Sequence, residues 1–412
     1  MRRILAVSIA LLLASSIPLP SEAHPPFLPN IPDTWTKMFP AQLYPDFEYE
    51  GLTPSCAACP GCDPEYSFFV KGGKVNNVVV YFEGGGACWD SKNCLYAPTY
   101  SREATSIERF ADTKDKGIFD TQNPKNPFKN WYFVYIPYCT GDVHWGAADH
   151  DYPDCLDAIP GVDSWTIRHR GFVNFQVVLK WMIDNFRLPF RIFVTGTSAG
   201  SYGAIMGFPH IKQAFPFSQV SVLGDAGNGV VDSYFQNNSI YNWNIQVPSW
   251  IPGFEGGYSP DMTIADVYGR IAAYYPWSKV AQYTTAWDWN QAFFYNVMVV
   301  IGKYSTWPFP DNCMPHPNEW NDYSGVWCDW HDQMLDFVYG VAENHRNYRY
   351  YIGAGDDHTI MGSKKFYEED SAGISFLKWI KGMLNEPVWI PGNGLKWKNV
   401  ECTDCQDPLS CE

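Results

Sequence analysis

The chain has 412 residues, 46% of them hydrophobic and 18% charged, with a formal net charge of −15. This is a globular composition rather than a disordered one, and the chain is long enough to bury a sizeable core. The acidic balance argues against nucleic acid and anionic membranes as partners, and weighs against a strongly anionic polysaccharide unless a local basic groove exists.

At the N-terminus, Arg2 and Arg3 precede an apolar run over residues 4–14 that is too short to span a bilayer, and Ser21-Glu22-Ala23 supplies small residues for cleavage before His24. Residues 1–23 therefore read as a signal peptide whose removal leaves the chain one unit more negative. No later stretch predicts an integral membrane segment, so a secreted, extracellular protein is expected. Residues 24–64 form a Cys/Pro-rich segment, and residues 65–412 read as a single catalytic domain ending in a Cys-rich tail. A monomer is expected.

Twelve cysteines in an exported chain predict disulfides. Cys56, Cys59 and Cys62 form C-x-x-C-x-x-C, a spacing that also suits metals, but the oxidising compartment favours disulfides, and neither a metal nor a cofactor is expected. Cys402, Cys405 and Cys411 make a matching trio, so the two clusters are expected to staple the chain ends together. Cys88 with Cys94, Cys139 with Cys155, and Cys313 with Cys328 are plausible local pairs.

Strand signals then arrive at the pace of an α/β fold. Residues 78–82 and 131–136 are β-branched or aromatic runs. Residues 172–186 have helical spacing, with Phe175, Val178, Leu179 and Met182 on one face. Strands follow over 191–195, 219–223, 281–286 and 348–353, with a last helix over 374–384. A mainly parallel central sheet with helices on both faces is predicted. Aromatic-rich loops over 228–280 and 305–345 would form a loop-rich cap above the C-terminal edge of the sheet, where open α/β sheets bind ligands.

Gly196-Thr197-Ser198-Ala199-Gly200 lies between the strand at 191–195 and a potential helix that Pro209 is expected to end. Strand, sharp turn at a serine, then helix is the nucleophile elbow of α/β-hydrolases. Chance G-x-S-x-G patterns are common in glycine-rich chains, and the flanking elements give this one its weight. A serine nucleophile needs a base and donors aimed at the developing oxyanion. The strand at 78–82 runs into Glu83-Gly84-Gly85-Gly86, which frees backbone N–H groups, so Gly85, Gly86 and Ala199 are the candidate oxyanion donors. His358, just past the last predicted strand, is the base that chain order favours among nine histidines. Asp288, directly after the strand at 281–286, is the orienting acid, with Asp311 its rival.

The run Tyr81-Phe82-Glu83-Gly84-Gly85-Gly86-Ala87-Cys88-Trp89, the elbow at Ser198, Gly224-Asp225-Ala226-Gly227, and Asp288 with Gln291 together resemble the pectin acetylesterase–Notum family of serine carboxylesterases, over roughly residues 65 to 365. The resemblance implies an α/β-hydrolase-like fold, a Ser198–Asp288–His358 triad and an oxyanion hole at Gly85, Gly86 and Ala199. Thr197 stands where that family has a cysteine, Ala87 where it has a bulky aromatic, and His144 and Trp145 differ from its eukaryotic members.

The function expected is deacetylation of an O-acetylated polysaccharide through an acyl-enzyme. Trp89, Asp142, His144, Trp145 and Trp287 are candidate substrate contacts, with Trp243, Trp250 and Trp289 as further stacking surfaces, although most tryptophans serve as core anchors. The alternatives are an esterase acting on a longer acyl ester, a lipid-modified protein or a polyester, and a non-catalytic carbohydrate-binding protein. A copper monooxygenase built on His24 conflicts with the α/β pattern. Asn237-Asn238-Ser239 is a glycosylation sequon.

Overall fold

The computed structural model describes residues 28–106, 116–157, 161–306, 313–388, 396–403, 405 and 411. The leader, His24 and Asp311 lie outside the described residues.

The apolar runs become strands because each is buried on both faces. In β3 (Asn77–Phe82), Val78, Val80 and Phe82 enter one hydrophobic cluster while Val79 and Tyr81 enter another. The same alternation holds through β4 (Tyr132–Ile136) and in the central residues of β7 (Arg191–Thr197) and β8 (Gln219–Asp225), and apolar residues on both faces mark a sheet covered on both sides. With β1 (Thr36–Met38), β2 (Phe68–Lys71), β9 (Val280–Thr285) and β10 (Tyr348–Gly353), these form an eight-stranded sheet of order β1-β2-β4-β3-β7-β8-β9-β10. From β4 to β10 the pairing is parallel, while β1 and β2 add antiparallel edge strands. Chain N-terminal to residue 65 thus supplies an edge strand. A separate hairpin pairs β5 (Ala148–Pro153) with β6 (Ser164–His169).

Helices cover both faces unequally. Helices α1 (Gly171–Asn185), α2 (Ala199–Ala214), α3 (Ile264–Tyr274), α4 (Trp289–Ser305) and α5 (Ser324–Asn344) contribute to one cluster. Helix α6 (Phe376–Asn385) covers the other face with Phe376, Trp379, Ile380 and Met383. The architecture is α/β-hydrolase-like, as expected, but the cap is more helical than the sequence reading held. Trp327, Trp330, Met334, Val338 and Val341 recur at helical spacing along α5 and are all buried. The aromatic richness of 305–345, read above as a loop, is in part this buried face of α5.

Pro209 does not end α2, which runs on to Ala214. A proline inside a helix costs about 3 kcal/mol. Burial of Ile205, Phe208 and Ile211 against the sheet outweighs that, and the Tyr275 hydroxyl donates to the Pro209 carbonyl at 3.4 Å.

All twelve cysteines are paired. Cys88–Cys94 forms as expected. The other pairings correct the sequence reading: Cys56–Cys139, Cys59–Cys62, Cys155–Cys313, Cys328–Cys411 and Cys402–Cys405. The two terminal clusters do not join each other, because Cys56 is drawn to the turn after β4 and Cys411 to helix α5. Spacing along the chain gives no information on such long-range neighbours.

Helix α2 passes so close to β3 that a Cβ on Gly200 would sit 2.0 Å from the Phe82 carbonyl oxygen. Gly200→Ala is therefore expected to destabilise the fold by about 1–3 kcal/mol, with the melting temperature falling by several degrees. Gly340→Ala is the control: Gly340 lies on the exposed side of α5 with nothing within 4 Å of a new Cβ, so its melting temperature should hold or rise.

Candidate active site

Register along the parallel strands brings five chain segments to one edge. Phe82 pairs with Gly196, Thr197 with Asp225, Asp225 with Tyr283, and Thr285 with Gly353. The segments leaving these strands carry the glycine loop, Ser198, the turn after Asp225, Asp288 and His358.

Ser198 occupies the turn between β7 and α2 with φ 55° and ψ −125°, a left-handed conformation that L-residues rarely hold. Its N–H donates to the Asp225 carbonyl at 2.8 Å. The glycine loop lies against it: a Cβ on Gly84 would be 2.4 Å from the Thr197 carbonyl oxygen and 2.8 Å from the Ser198 Cβ. Gly85 and Gly86 follow on that loop, and Ala199 opens α2. Among the described residues no backbone carbonyl accepts from these three N–H groups.

Asp288 is fully buried at the N-cap of α4. It accepts from the N–H groups of Asn290 and Gln291 at 3.0 Å each and from the Gln291 side-chain amide at 2.9 Å. His358 Nδ1 lies 2.9 Å from each Asp288 oxygen. With Nδ1–H donating, Nε2 carries the lone pair, and it is buried without a hydrogen-bond partner among the described residues. Burial opposes a charged imidazole, but the Asp288 charge and hydrogen bond, with a further contribution from Asp225, outweigh it and raise the His358 pKa above its ordinary 6.5.

Ser198, Ala199, Gly86 and His358 line a cavity of about 360 Å³. Most of its remaining wall is apolar: Trp145 and Trp243 from loops, Phe294 and Met298 from α4, Trp330 and Phe337 from α5, and Tyr258 and Met262 from the segment before α3. Gly86, Ser198 and His358 also border a second cleft of about 610 Å³ with a more polar lining that includes Glu83, Thr99, Thr197, Asn290 and Ser363.

Of the five candidate substrate contacts, Trp145 alone lines the cavity, with its indole N–H donating to the Tyr202 carbonyl at 2.7 Å. The other four lie outside its lining. Trp89 is buried edge-on to Phe235. Trp287 stacks on His331 at 3.9 Å. Asp142 is fully buried and accepts from the N–H groups of His144, Gly146 and Gly171 and from the Thr140 hydroxyl, tying the turn after β4 to the start of α1. His144 sits behind the glycine loop, with Nε2 2.8 Å from the Glu83 carbonyl oxygen, and burial lowers its pKa to about 4. Polar residues in a motif near a site are as often its scaffold as its contacts. Among the further stacking candidates, Trp243 lines the cavity, Trp250 packs on His210, and Trp289 is exposed.

Sequence reasoning missed the cavity wall from α4 and α5, whose signal was the helical spacing described above. It left Asp225 without a role, although that carboxylate binds the loop carrying His358. Cys88, Cys94 and His169 are close enough to hold a metal, but the two cysteines are joined as a disulfide and have no thiolate to offer.

A family comparison bears directly on this edge. Residues 53–247 match the pectinacetylesterase family. That stretch holds the glycine loop, the elbow and Asp225, and the resemblance drawn from their motifs is borne out. Asp288 and His358 lie beyond it. Curated relatives carry the same name or a related one. Pectin acetylesterase 11 of Arabidopsis thaliana is 26% identical over 196 residues, which are 45% of this chain and 46% of that protein. Palmitoleoyl-protein carboxylesterase NOTUM of Mus musculus is 24% identical over 196 residues, 45% of this chain and 36% of that protein. Pectin acetylesterase 7 of Arabidopsis thaliana is 26% identical over 170 residues, 40% of this chain and 41% of that protein. The match spans less than half the length of each of these relatives.

The His358 imidazole is expected to titrate above pH 6.5, as read by its proton NMR shifts. Asp288→Asn removes the carboxylate that stabilises the cation and leaves burial dominant, so the same resonances should then titrate below pH 6.5. An unmoved midpoint would contradict the role assigned to the Asp288 charge.

Proposed function

We propose that this chain is an exported serine carboxylesterase in which Ser198 is the nucleophile, His358 the base, Asp288 the orienting acid, and the N–H groups of Gly85, Gly86 and Ala199 the oxyanion donors. The observation that carries this reading is the hydrogen bond from His358 Nδ1 to the buried Asp288, which leaves Nε2 unpartnered in a cavity wall shared with Ser198. Ser198 Oγ attacks the ester carbonyl as its proton passes to Nε2. The tetrahedral oxyanion takes the three backbone donors, and collapse expels the alcohol, which leaves with the proton from Nε2. Water then repeats the sequence on the acyl-enzyme and releases the acid. The match of residues 53–247 to the pectinacetylesterase family and the acetylesterase and carboxylesterase names of the relatives support the reaction class. Six disulfides suit an oxidising compartment. No helix among the described residues is long and apolar enough to cross a membrane.

The cavity favours one of the two substrates considered. Deacetylation places a single methyl group on the acyl side. A largely apolar cavity of about 360 Å³ instead falls within the roughly 300–1,000 Å³ range of pockets that take whole small molecules. The acyl group is therefore longer than acetyl, with its chain between α4, α5 and the Trp145 and Trp243 loops. The alcohol portion, which in a polysaccharide or a protein is large and polar, faces the open cleft beside Glu83 and Asn290.

Two measurements test this. A fluorophosphonate should label the native chain and not Ser198→Ala, and equal labelling of both, or of neither, would remove the esterase reading and leave a non-catalytic binding protein. Each methylene buried contributes about 0.8 kcal/mol. If part of that is realised in the transition state, kcat/KM for p-nitrophenyl octanoate should exceed that for the acetate by at least 10-fold, and Met298→Trp should reverse the order. Acetate as the best native substrate would return the assignment to a deacetylase.

A further inference from the structure

Asp225 is a fully buried carboxylate that the reaction described above does not use. It forms no ion pair with lysine or arginine among the described residues. A buried carboxylate without a cation is costly unless its oxygens are satisfied, so its bonds show what the charge is for. Ile360 N–H donates to it at 2.9 and 3.1 Å, and Met361 N–H at 2.7 Å. Those two residues follow His358 closely and are themselves fully buried. The backbone of the same aspartate acts on the nucleophile, because its carbonyl accepts the Ser198 N–H at 2.8 Å. One residue, at the last position of β8, thus holds the serine turn with its main chain and the histidine loop with its side chain. Next along the chain, Ala226 N–H donates to the Tyr283 carbonyl at 2.8 Å, so the anchor is itself fixed to β9.

The geometry points to Asp225 as a positioning residue that sets His358 against Ser198 and supplies a second negative charge beneath the imidazolium formed during proton transfer. It rests on the assignment of Ser198, Asp288 and His358 made above. A neutral acceptor could bind two N–H groups, but it could not attract the imidazolium. Burial pushes the Asp225 carboxyl up to about 7, partly offset by the Met361 and Ile360 bonds and by His358. Proton occupancy at Asp225 and at His358 is therefore coupled. The groups facing this pair are Asp288 after β9, Tyr283 on β9 and Tyr81 on β3, whose hydroxyl bonds Thr197. On the histidine's own loop, Asp357 is paired with Lys365.

Asp225→Asn keeps an acceptor oxygen and loses the charge, Asp225→Ala loses both, and Asp225→Glu keeps the charge but displaces the loop. Turnover of p-nitrophenyl octanoate is measured per active site, titrated with a fluorophosphonate, so that misfolded protein is not counted. Asp225→Asn should lose about 10-fold in kcat with KM unchanged, and the His358 NMR midpoint should fall by at least half a pH unit. Asp225→Ala should lose more and show faster hydrogen exchange at the Ile360 and Met361 amides. Should the Asn variant fail to fold, Asp225→Glu carries the test, with a lower kcat at an unchanged His358 midpoint. Wild-type turnover per site, wild-type His358 titration and wild-type amide exchange in the variants would overturn the proposal. The last two readouts need no esterase activity, so a native chain unreactive to fluorophosphonate would sink the catalytic assignment separately.

Discussion

The turn at Ser198 depends on a backbone contact that leaves no room for a side chain. Helix α2 starts directly against the end of β3, with Gly200 beneath the Phe82 carbonyl and Gly84 against Thr197. That approach forces Ser198 into a left-handed conformation and brings the glycine loop onto the serine. A strained residue persists only where its surroundings over-determine it. Here they do so through the Asp225 carbonyl from β8 and the Ser201 N–H, which donates to the Ser198 carbonyl at 2.9 Å. The elbow is therefore a property of three adjacent strands and a helix rather than of a five-residue motif.

Beside the Asp225 tie, polar groups at this edge form two further networks. One centres on Asp288, joined to His358, Gln291 and, through Gln291, to Asn228 and Thr284. The other lies behind the glycine loop, where His144 binds the Glu83 carbonyl and the Glu83 carboxylate binds the Thr105 hydroxyl and the Tyr138 N–H. Each fixes backbone or a ring beside the site, so that donors are held in place before charge develops. The site stands between unlike surroundings, a largely apolar cavity on one wall and a larger, more polar cleft on the other. Under the proposed reaction, this division would give the two unlike ends of an ester each its own place.

Much of the strand framework was legible in the sequence because both faces of the sheet are buried. Runs such as Val78-Val79-Val80 and Ile192-Phe193-Val194 leave little choice of element. The chemical order was legible for a related reason: Gly85, Ser198, Asp288 and His358 each follow a strand, and parallel connections deliver every second chain reversal to the same edge. The helical cap was less legible. Helix α5 carries buried apolar residues at helical spacing, but its many aromatic and polar residues read as a loop. Disulfide partners were mostly illegible, as Cys155 with Cys313 illustrates at a separation of 158 residues.

The sequence by itself determined the sheet, the strand–turn–helix around Ser198 and the residue types available for acyl transfer, because these follow from local periodicity and from glycines at a few fixed positions. Tertiary structure alone decided the roles. It set His144 behind the glycine loop and Asp142 under the turn after β4, turned Asp225 into a tie between two loops, and assembled an apolar cavity from α4, α5 and segments far from them in the chain. Those outcomes depend on which strand ends lie side by side and how closely the helices approach them, and no local pattern encodes such distances.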